Sequence, residues 1–277
     1  MADAILPPNL PHARRPEPGA RASRLRVATY NIHKGVRGVG PGKRLEIHNL
    51  GQGIEALDAD LVCLQEVRLF HHQEARRFQR SRLGWPEGGQ ADFLAPKGYQ
   101  VAYRTNAVTR HGEHGNALLS RWPLGEIGHH DVSDHRFEQR GLLHVPVDWG
   151  GQTLHVVVAH FGLVHASRVR QVQRLAGVLA DEVPAGEPLL VAGDFNDWGE
   201  RLDEPMAGIG LRRASAGSGL RPGPLTFPAR VPVFALDRVY MRGFCCTGAT
   251  VPRGTAWARM SDHLPLVVEL ELEREAG

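Results

Sequence analysis

The sequence is short of lysine, cysteine and long apolar runs. Of its 33 basic residues only Lys34, Lys43 and Lys97 are lysines. Arginine carries nearly all the positive charge, a bias that genome composition explains without reference to function. Cys63, Cys245 and Cys246 are an odd number with one adjacent pair, which makes a poor disulfide framework. No C-x-x-C with histidine partners marks a structural zinc site. Reduced thiols and a cytoplasmic location are therefore expected, with Cys63, inside LVCLQ, as a small core residue. No stretch approaches the roughly 18 apolar residues of a spanning helix, which excludes a helical integral membrane protein. The N-terminus lacks the apolar segment of a secretory signal, and Arg14-Arg15 lacks the hydrophobic stretch of a twin-arginine signal. Rich in proline and arginine, residues 1–24 read as a disordered leader, and residues 25–273 as one domain.

What is present is ordinary globular material, 42% hydrophobic and 23% charged in 277 residues. The net charge of +3 is a weak field, which permits a phosphate-bearing partner without demanding one. Histidine is the surplus, at 15. Strands are expected over 25–30, 61–64, 99–104, 116–121, 142–147, 154–160, 189–192, 233–241 and 265–272, and helices over 45–57, 74–82 and 168–181. Gly51 and Gly53 weaken the first helix. Residues 35–44 and 203–232 read as loops. The alternation implies a layered α/β protein with helices covering sheet faces.

Two segments share one layout, in which a strand ends in a polar residue, a helix follows, and the next strand ends in a carboxylate. Asn31 and Glu66 lie 35 residues apart, and His160 and Asp194 lie 34 apart. The spacing suggests two half-units whose strand ends converge. Polar clusters indeed sit at the ends of apolar strands: TYNIH (29–33), LQEV (64–67), VVVAHF (156–161), VAGDFND (191–197) and SDHLP (261–265), with LDRVY (236–240) as a sixth. Buried charge is costly, so such carboxylates need a metal, a histidine or backbone N–H groups. Packing alone does not explain six of them.

In this order the motifs resemble the endonuclease/exonuclease/phosphatase superfamily, over roughly residues 25–272. The resemblance implies a four-layered α/β sandwich, two packed mixed β-sheets flanked by helices, with Mg²⁺-dependent hydrolysis of phosphate esters at the strand ends. By resemblance, Glu66 is the principal Mg²⁺ ligand, supported by Asn31 and Asp262, and Mn²⁺ is an alternative. Asp194 aligns the attacking water and accepts its proton. Asn196, sharing a face with Asp194 if GDFND is extended, bonds that water or a phosphate oxygen. His263, oriented by Asp237, is a general base or an electrostatic clamp, and His160 contacts phosphate or serves the leaving group. Arg140 and Asn116 are candidate phosphate contacts. Asp197 reads as structural, and Arg238 as support beside Asp237. Where some nuclease branches carry a further carboxylate, this chain has His33, which weakens the case for a second Mg²⁺ and leaves His33 as a possible phosphate contact. YNIHKG and TFPARVP (226–232) resemble a bacterial branch of unassigned substrate, some of whose members are associated with phospholipid metabolism.

The expected function is thus a metal-dependent phosphodiesterase using in-line attack of water on nucleic acid, phospholipid or another small phosphodiester. The alternatives are a phosphomonoesterase of the same fold and a non-catalytic phosphate-ligand binding protein. Arginine-rich stretches at 76–82 and 212–230 would serve a polyanion, and Trp85 in LGWPEGG a lipid surface. A monomer is expected. His71-His72, His111, His114 and His129-His130 are expected in surface loops, where they could bind adventitious metal.

Overall fold

The computed structural model describes residues 23–38, 40–79, 84–215 and 223–273. Most of the leader, part of each arginine-rich stretch and the last four residues lie outside them. In chain order the first half contains β1 (Arg24–Asn31), β2 (Val36–Arg37), β3 (Arg44–Leu45), α1 (Ile47–Leu57), β4 (Leu61–His71), α2 (His72–Phe78), α3 (Gln90–Leu94), β5 (Gln100–Thr109), β6 (Gly112–Ser120) and β7 (Gly128–Asp131). The second half contains β8 (Gly141–Asp148), β9 (Thr153–His160), α4 (His165–Glu182), β10 (Leu189–Asp194), α5 (Asp203–Gly208), β11 (Arg212–Arg213), β12 (Asp237–Arg242), β13 (Phe244–Thr250), α6 (Trp257–Met260) and β14 (Leu266–Leu272).

Two six-stranded mixed sheets result, ordered β13-β14-β1-β4-β6-β5 and β11-β12-β10-β9-β8-β7. Strand alternation assigns each side chain to a layer. Leu25, Val27, Leu61 and Cys63 of the first sheet meet Val156, Val158, Leu190 and Ala192 of the second in a central core. The intervening residues face outward. Ala28, Tyr30, Val62 and Leu64 pack against Ile47, Leu50, Ile54 and Trp257 of the helices outside the first sheet. Val157, Ala159, Leu189 and Val191 pack against Val172, Leu175 and Leu179 of α4. Helices, sheet, sheet and helices make four layers.

Within each sheet a parallel strand pair is bridged by a helix, β1–α1–β4 and β9–α4–β10, so the matched spacings correspond to matched topology. Gly53 has a packing role in α1, since a Cβ there would lie 2.9 Å from Met260 Sδ and 3.1 Å from the Trp257 ring. The glycine lets α6 approach.

Several elements differ from expectation. β4 runs on to His71 because a bulge after Leu64 lets pairing with β6 resume at Val67. The stretch 203–232 contains α5 and β11. Residues 233–236 do not join the last strand of the second sheet, which starts at Asp237. Most of the histidines expected in loops are not there: His71 ends β4, His72 opens α2, His114 is in β6, and His129 and His130 are in β7, while His111 lies in the β5–β6 turn as expected. Short edge strands carry too little apolar alternation to be read from sequence. Cys63 is buried as expected, and burial pushes its thiol up to about 12.

Arg238 turns away from Asp237 to the outer face, as strand alternation requires. Its side chain, fully buried, donates to Asp197 Oδ2 (2.9 Å), Asp197 O (3.0 Å) and Tyr240 Oη (3.0 Å). Asp197 Oδ2 also accepts from Leu202 N at 2.8 Å. This pair fixes the loop that follows β10. Breaking a buried ion pair strands a charge, so Asp197→Ala should cost about 3–5 kcal/mol in urea unfolding. An Asp197→Leu/Arg238→Met double variant should recover part of the loss.

Candidate active site

Strand alternation also builds the site. Val27, Val158, Ala192 and Val239 point between the sheets. Asn31, His160, Asp194 and Asp237 lie an even number of residues from them and face the same seam, at one end of it. Asp194 is in register with His160 on one side and Asp237 on the other.

The Asp194 carboxylate, 1% exposed, is the hub. Its Oδ2 accepts from Asn31 Nδ2 across the seam at 3.0 Å. The Nε2 atoms of His160 and His263 approach the same oxygen at 3.6 and 3.7 Å, too far for direct hydrogen bonds. Its Oδ1 accepts from Asn196 N at 2.9 Å. The segment after Asp194 is therefore an Asx turn and not extended. Asn196, at φ +48°, reaches the site through that turn, and its Nδ2 donates to Phe161 O at 2.9 Å.

The two histidines are pulled apart electrostatically. Burial would lower His263, but Asp237, bonded to its Nδ1 at 2.8 Å, and then Asp194 raise it to about 10. Burial, reinforced by the charge of Arg140, lowers His160 to about 4 despite Asp194. At neutral pH one ring is an imidazolium and the other is neutral.

Glu66 arrives differently. Alternation gives the inward position to Gln65, whose Nε2 donates to Thr29 Oγ1 at 3.2 Å and Cys63 O at 3.1 Å. Glu66 sits in the bulge at φ +57°, which swings its carboxylate to the strand ends. On the other side of β6, Gly115 admits the close approach of β5, since a Cβ there would fall 1.9 Å from Arg104 O. Lys34 Nζ lies 2.8 Å from Glu66 Oε2. Burial would raise Glu66, but the charges of Lys34 and His160 hold it well below the usual carboxylate range. Asp262 contacts His33 Nδ1 at 3.3 Å; against its burial, the His33 hydrogen bond and the His263 charge lower it. His33, Lys34, Glu66 and Asn196 are four of the six left-handed non-glycine residues among those described. Such backbone costs about 1–3 kcal/mol each and concentrates where function demands it.

The donors fit a hard divalent cation. Glu66, Asp262 and the Asn31 amide oxygen are oxygen ligands, and the Lys34 ammonium already lies where a cation beside Glu66 would. They form no closed cage, which suits Mg²⁺, an ion that keeps waters and takes ligands from substrate.

Two candidates are placed differently. Asn116 is fully buried, and its Nδ2 donates to Gly141 O and Val158 O, both at 3.0 Å, across to the second sheet. It is a strut between the sheets and has no donor to offer a phosphate. Arg140 lies beside His160, with Nε donating to Phe161 O at 3.1 Å and Nη2 to Glu138 at 3.1 Å. Sequence reasoning passed over Lys34 and Ser261, whose Oγ donates to Asn31 O at 2.7 Å. A signal existed for Lys34, one of three lysines and next to the NIH motif.

The Endonuclease/Exonuclease/phosphatase family profile matches residues 28–263. The chain is 36% identical over 252 residues to the uncharacterized protein YbhP of Escherichia coli K12, covering 90% of this chain and 96% of that protein. The fold is shared with D. rerio TDP2 complexed with single-strand DNA product (TM-score 0.62, 16% identity, 90% of this chain and 100% of that one). A mannosyl-6-phosphatase from Bacteroides thetaiotaomicron is equally similar (TM-score 0.62, 18% identity, 89% and 99%). With its motifs in order and its strand ends gathered on Asp194, the chain belongs to the endonuclease/exonuclease/phosphatase family.

Proposed function

We propose that the protein is a metal-dependent phosphodiesterase that hydrolyses its substrate by in-line attack of water. The observation that carries this reading is the buried Asp194 carboxylate, which accepts from Asn31 Nδ2 at 3.0 Å and faces the Nε2 atoms of His160 and His263 at 3.6 and 3.7 Å. Residues 25–273 form the catalytic unit. Asp194 aligns water and takes its proton, positioned by Asn31 and the Asn196 backbone. His263, protonated and held by Asp237, is an electrostatic clamp on the phosphoryl oxygens, because an imidazolium cannot act as the base. His160, neutral, faces the leaving group. Arg140 and the Asn196 side chain complete the phosphate contacts. Glu66, with Asn31 and Asp262, would hold Mg²⁺ or Mn²⁺, which when bound neutralises charge on the phosphoryl group.

Two surface features bear on substrate. Arg37, Arg44, Arg230 and Arg259 line one depression, and Arg230 and Arg259 also line a second that reaches Leu264 beside His263. They favour a substrate with more than one anionic group. The exposed Leu163, Val164, Trp198, Val231 and Val233 lie on loops following His160 and Asn196 and preceding Asp237. They favour a phospholipid or another phosphodiester with an apolar part. Trp85 is not among them, since it stacks on Phe78 with ring centroids 6.3 Å apart.

A panel of DNA, RNA, phospholipid vesicles, phosphomonoesters and a chromogenic phosphodiester, assayed with Mg²⁺ and with Mn²⁺, tests the proposal. Chelator should abolish turnover. Asp194→Asn and His263→Gln should each lower kcat by about 10²–10⁴-fold. Turnover of phosphomonoesters alone would overturn the reading. On DNA or RNA, activity should fall steeply with salt; on vesicles it should depend on the exposed apolar residues.

The raised His263 makes a separate prediction. Its contribution to stability is fully present below its unfolded value near 6.5 and is lost as pH rises through about 10. In chelator-treated protein the unfolding midpoint should fall by several degrees across that window. Asp237→Asn should flatten this dependence.

A further inference from the structure

At the other end of the second sheet, four ionisable side chains form one continuous chain. Glu182 Oε2 lies 2.8 Å from His144 Nδ1, His144 Nε2 lies 2.9 Å from His155 Nδ1, and His155 Nε2 lies 2.6 Å from Glu187 Oε2. His144 and His155 are buried. All three contacts are close enough to require a proton in each. A neutral imidazole carries one N–H and one lone pair, so two neutral histidines supply only two protons.

The deficit falls at one of the two carboxylate ends, with a lone pair facing either Glu182 or Glu187. If it fell between the histidines, two lone pairs would oppose each other in the interior. If it falls at the Glu182 end, His144 Nδ1 presents a lone pair to a carboxylate at the surface. A third proton would make an imidazolium of a buried ring, which is costly.

A cation removes the conflict, and the surroundings provide for one. His130 Nε2 lies 3.2 Å from the same Glu182 oxygen. Among the described residues, His130, His144 and Glu182 are the group whose ligand atoms lie within 4.8 Å of one another. The residue paired with His144 across the edge strand is Gly128. A Cβ there would lie 3.3 Å from His130 Nε2 and 3.5 Å from Glu182 Oε2, so the glycine keeps the space open. We propose that His130 Nε2, His144 Nδ1 and Glu182 bind a transition-metal ion of the Zn²⁺ class, with water completing a tetrahedron.

Two imidazoles and a carboxylate suit Zn²⁺ or Co²⁺ and are a poor set for Mg²⁺. The His155–Glu187 relay fixes the His144 tautomer, as outer-shell partners of metal-bound histidines do. His144 pairs with Val157, three residues from His160 on β9 and so roughly 10 Å along the strand at about 3.3 Å per residue, and it lies on the outer face of the sheet while His160 faces the inner seam, so the ion is separate from the hydrolytic centre. It fastens the edge strand β7 and β8 to the C-terminal end of α4.

The test is titration of metal-free protein with Zn²⁺ and Co²⁺ in a Glu66→Ala background, which disables the other cation site. One tight equivalent is expected, with a visible tetrahedral Co²⁺ spectrum and a raised unfolding midpoint. His130→Ala and Glu182→Gln, both at the surface, should weaken binding at least tenfold and bleach the spectrum. Glu187→Gln should weaken it by about 10–100-fold. Equal affinity with and without His130→Ala would overturn the assignment. So would a midpoint that rises on acidification to pH 6 but ignores Zn²⁺, which would give the gap to a third proton.

Discussion

The architecture depends on one awkward requirement, a carboxylate kept in the dry seam between two sheets. Asp194 is 1% exposed, and an isolated buried charge would cost far more than a fold of this size can spare. Each partner that stabilises it comes from a different strand or turn. Asn31 reaches it from the first sheet, the charge of His263 from the turn before β14, and the Asn196 backbone from its own loop. The sheets must therefore meet in one relative position, and the central core of alternating Val, Leu and Ala supplies the packing that holds it. Asn116, donating to two carbonyls of the opposite sheet, is a second pin in the same seam.

The near-equal spacings of Asn31 to Glu66 and His160 to Asp194 follow from that arrangement. Each half is a strand, a covering helix and a parallel strand, and each parallel pair delivers its polar ends to one edge. The halves are not chemically equivalent. In the second, register alone brings Asp194 beside His160. In the first, Asn31 pairs with Gln65, and only the bulge brings Glu66 forward. The same edge thus carries a fully buried hub and a more exposed acid on strained backbone, a division that fits the proposed function, in which one is a fixed proton acceptor and the other would hold an exchangeable ion.

The parts of this molecule legible in the sequence were those with a period. Alternating apolar runs located the central strands, the heptad-like stripe of Val172, Leu175 and Leu179 located α4, and carboxylates directly after apolar runs marked the seam. What escaped depends on backbone geometry or on pairing between distant segments. The bulge at Glu66 has no local signature, because it shows only in the register shift against β6, a strand some fifty residues on. GDFND reads equally as extended or as an Asx turn until Asp194 is seen to accept from Asn196 N. Asn116 resembles a surface donor, and only sheet packing shows both its protons committed. The chain of His144, His155, Glu182 and Glu187 joins two strands, a helix end and a turn, so nothing in the spacing announces it.

The scarcity of lysine acquires a physical meaning beside Glu66. Two of the three lysines hold buried or half-buried carboxylates, Lys34 with Glu66 and Lys43 with Glu74. An arginine in place of Lys34 would present a planar fork able to grip Glu66 through two hydrogen bonds. It would be slow to yield the carboxylate to a metal ion. A lysine offers a point charge on a flexible stem, which neutralises Glu66 here and, under the proposed function, would be free to swing aside for a divalent cation. In a chain whose positive charge is nearly all arginine, a lysine at position 34 keeps the Glu66 carboxylate ionised without gripping it through a two-pronged fork.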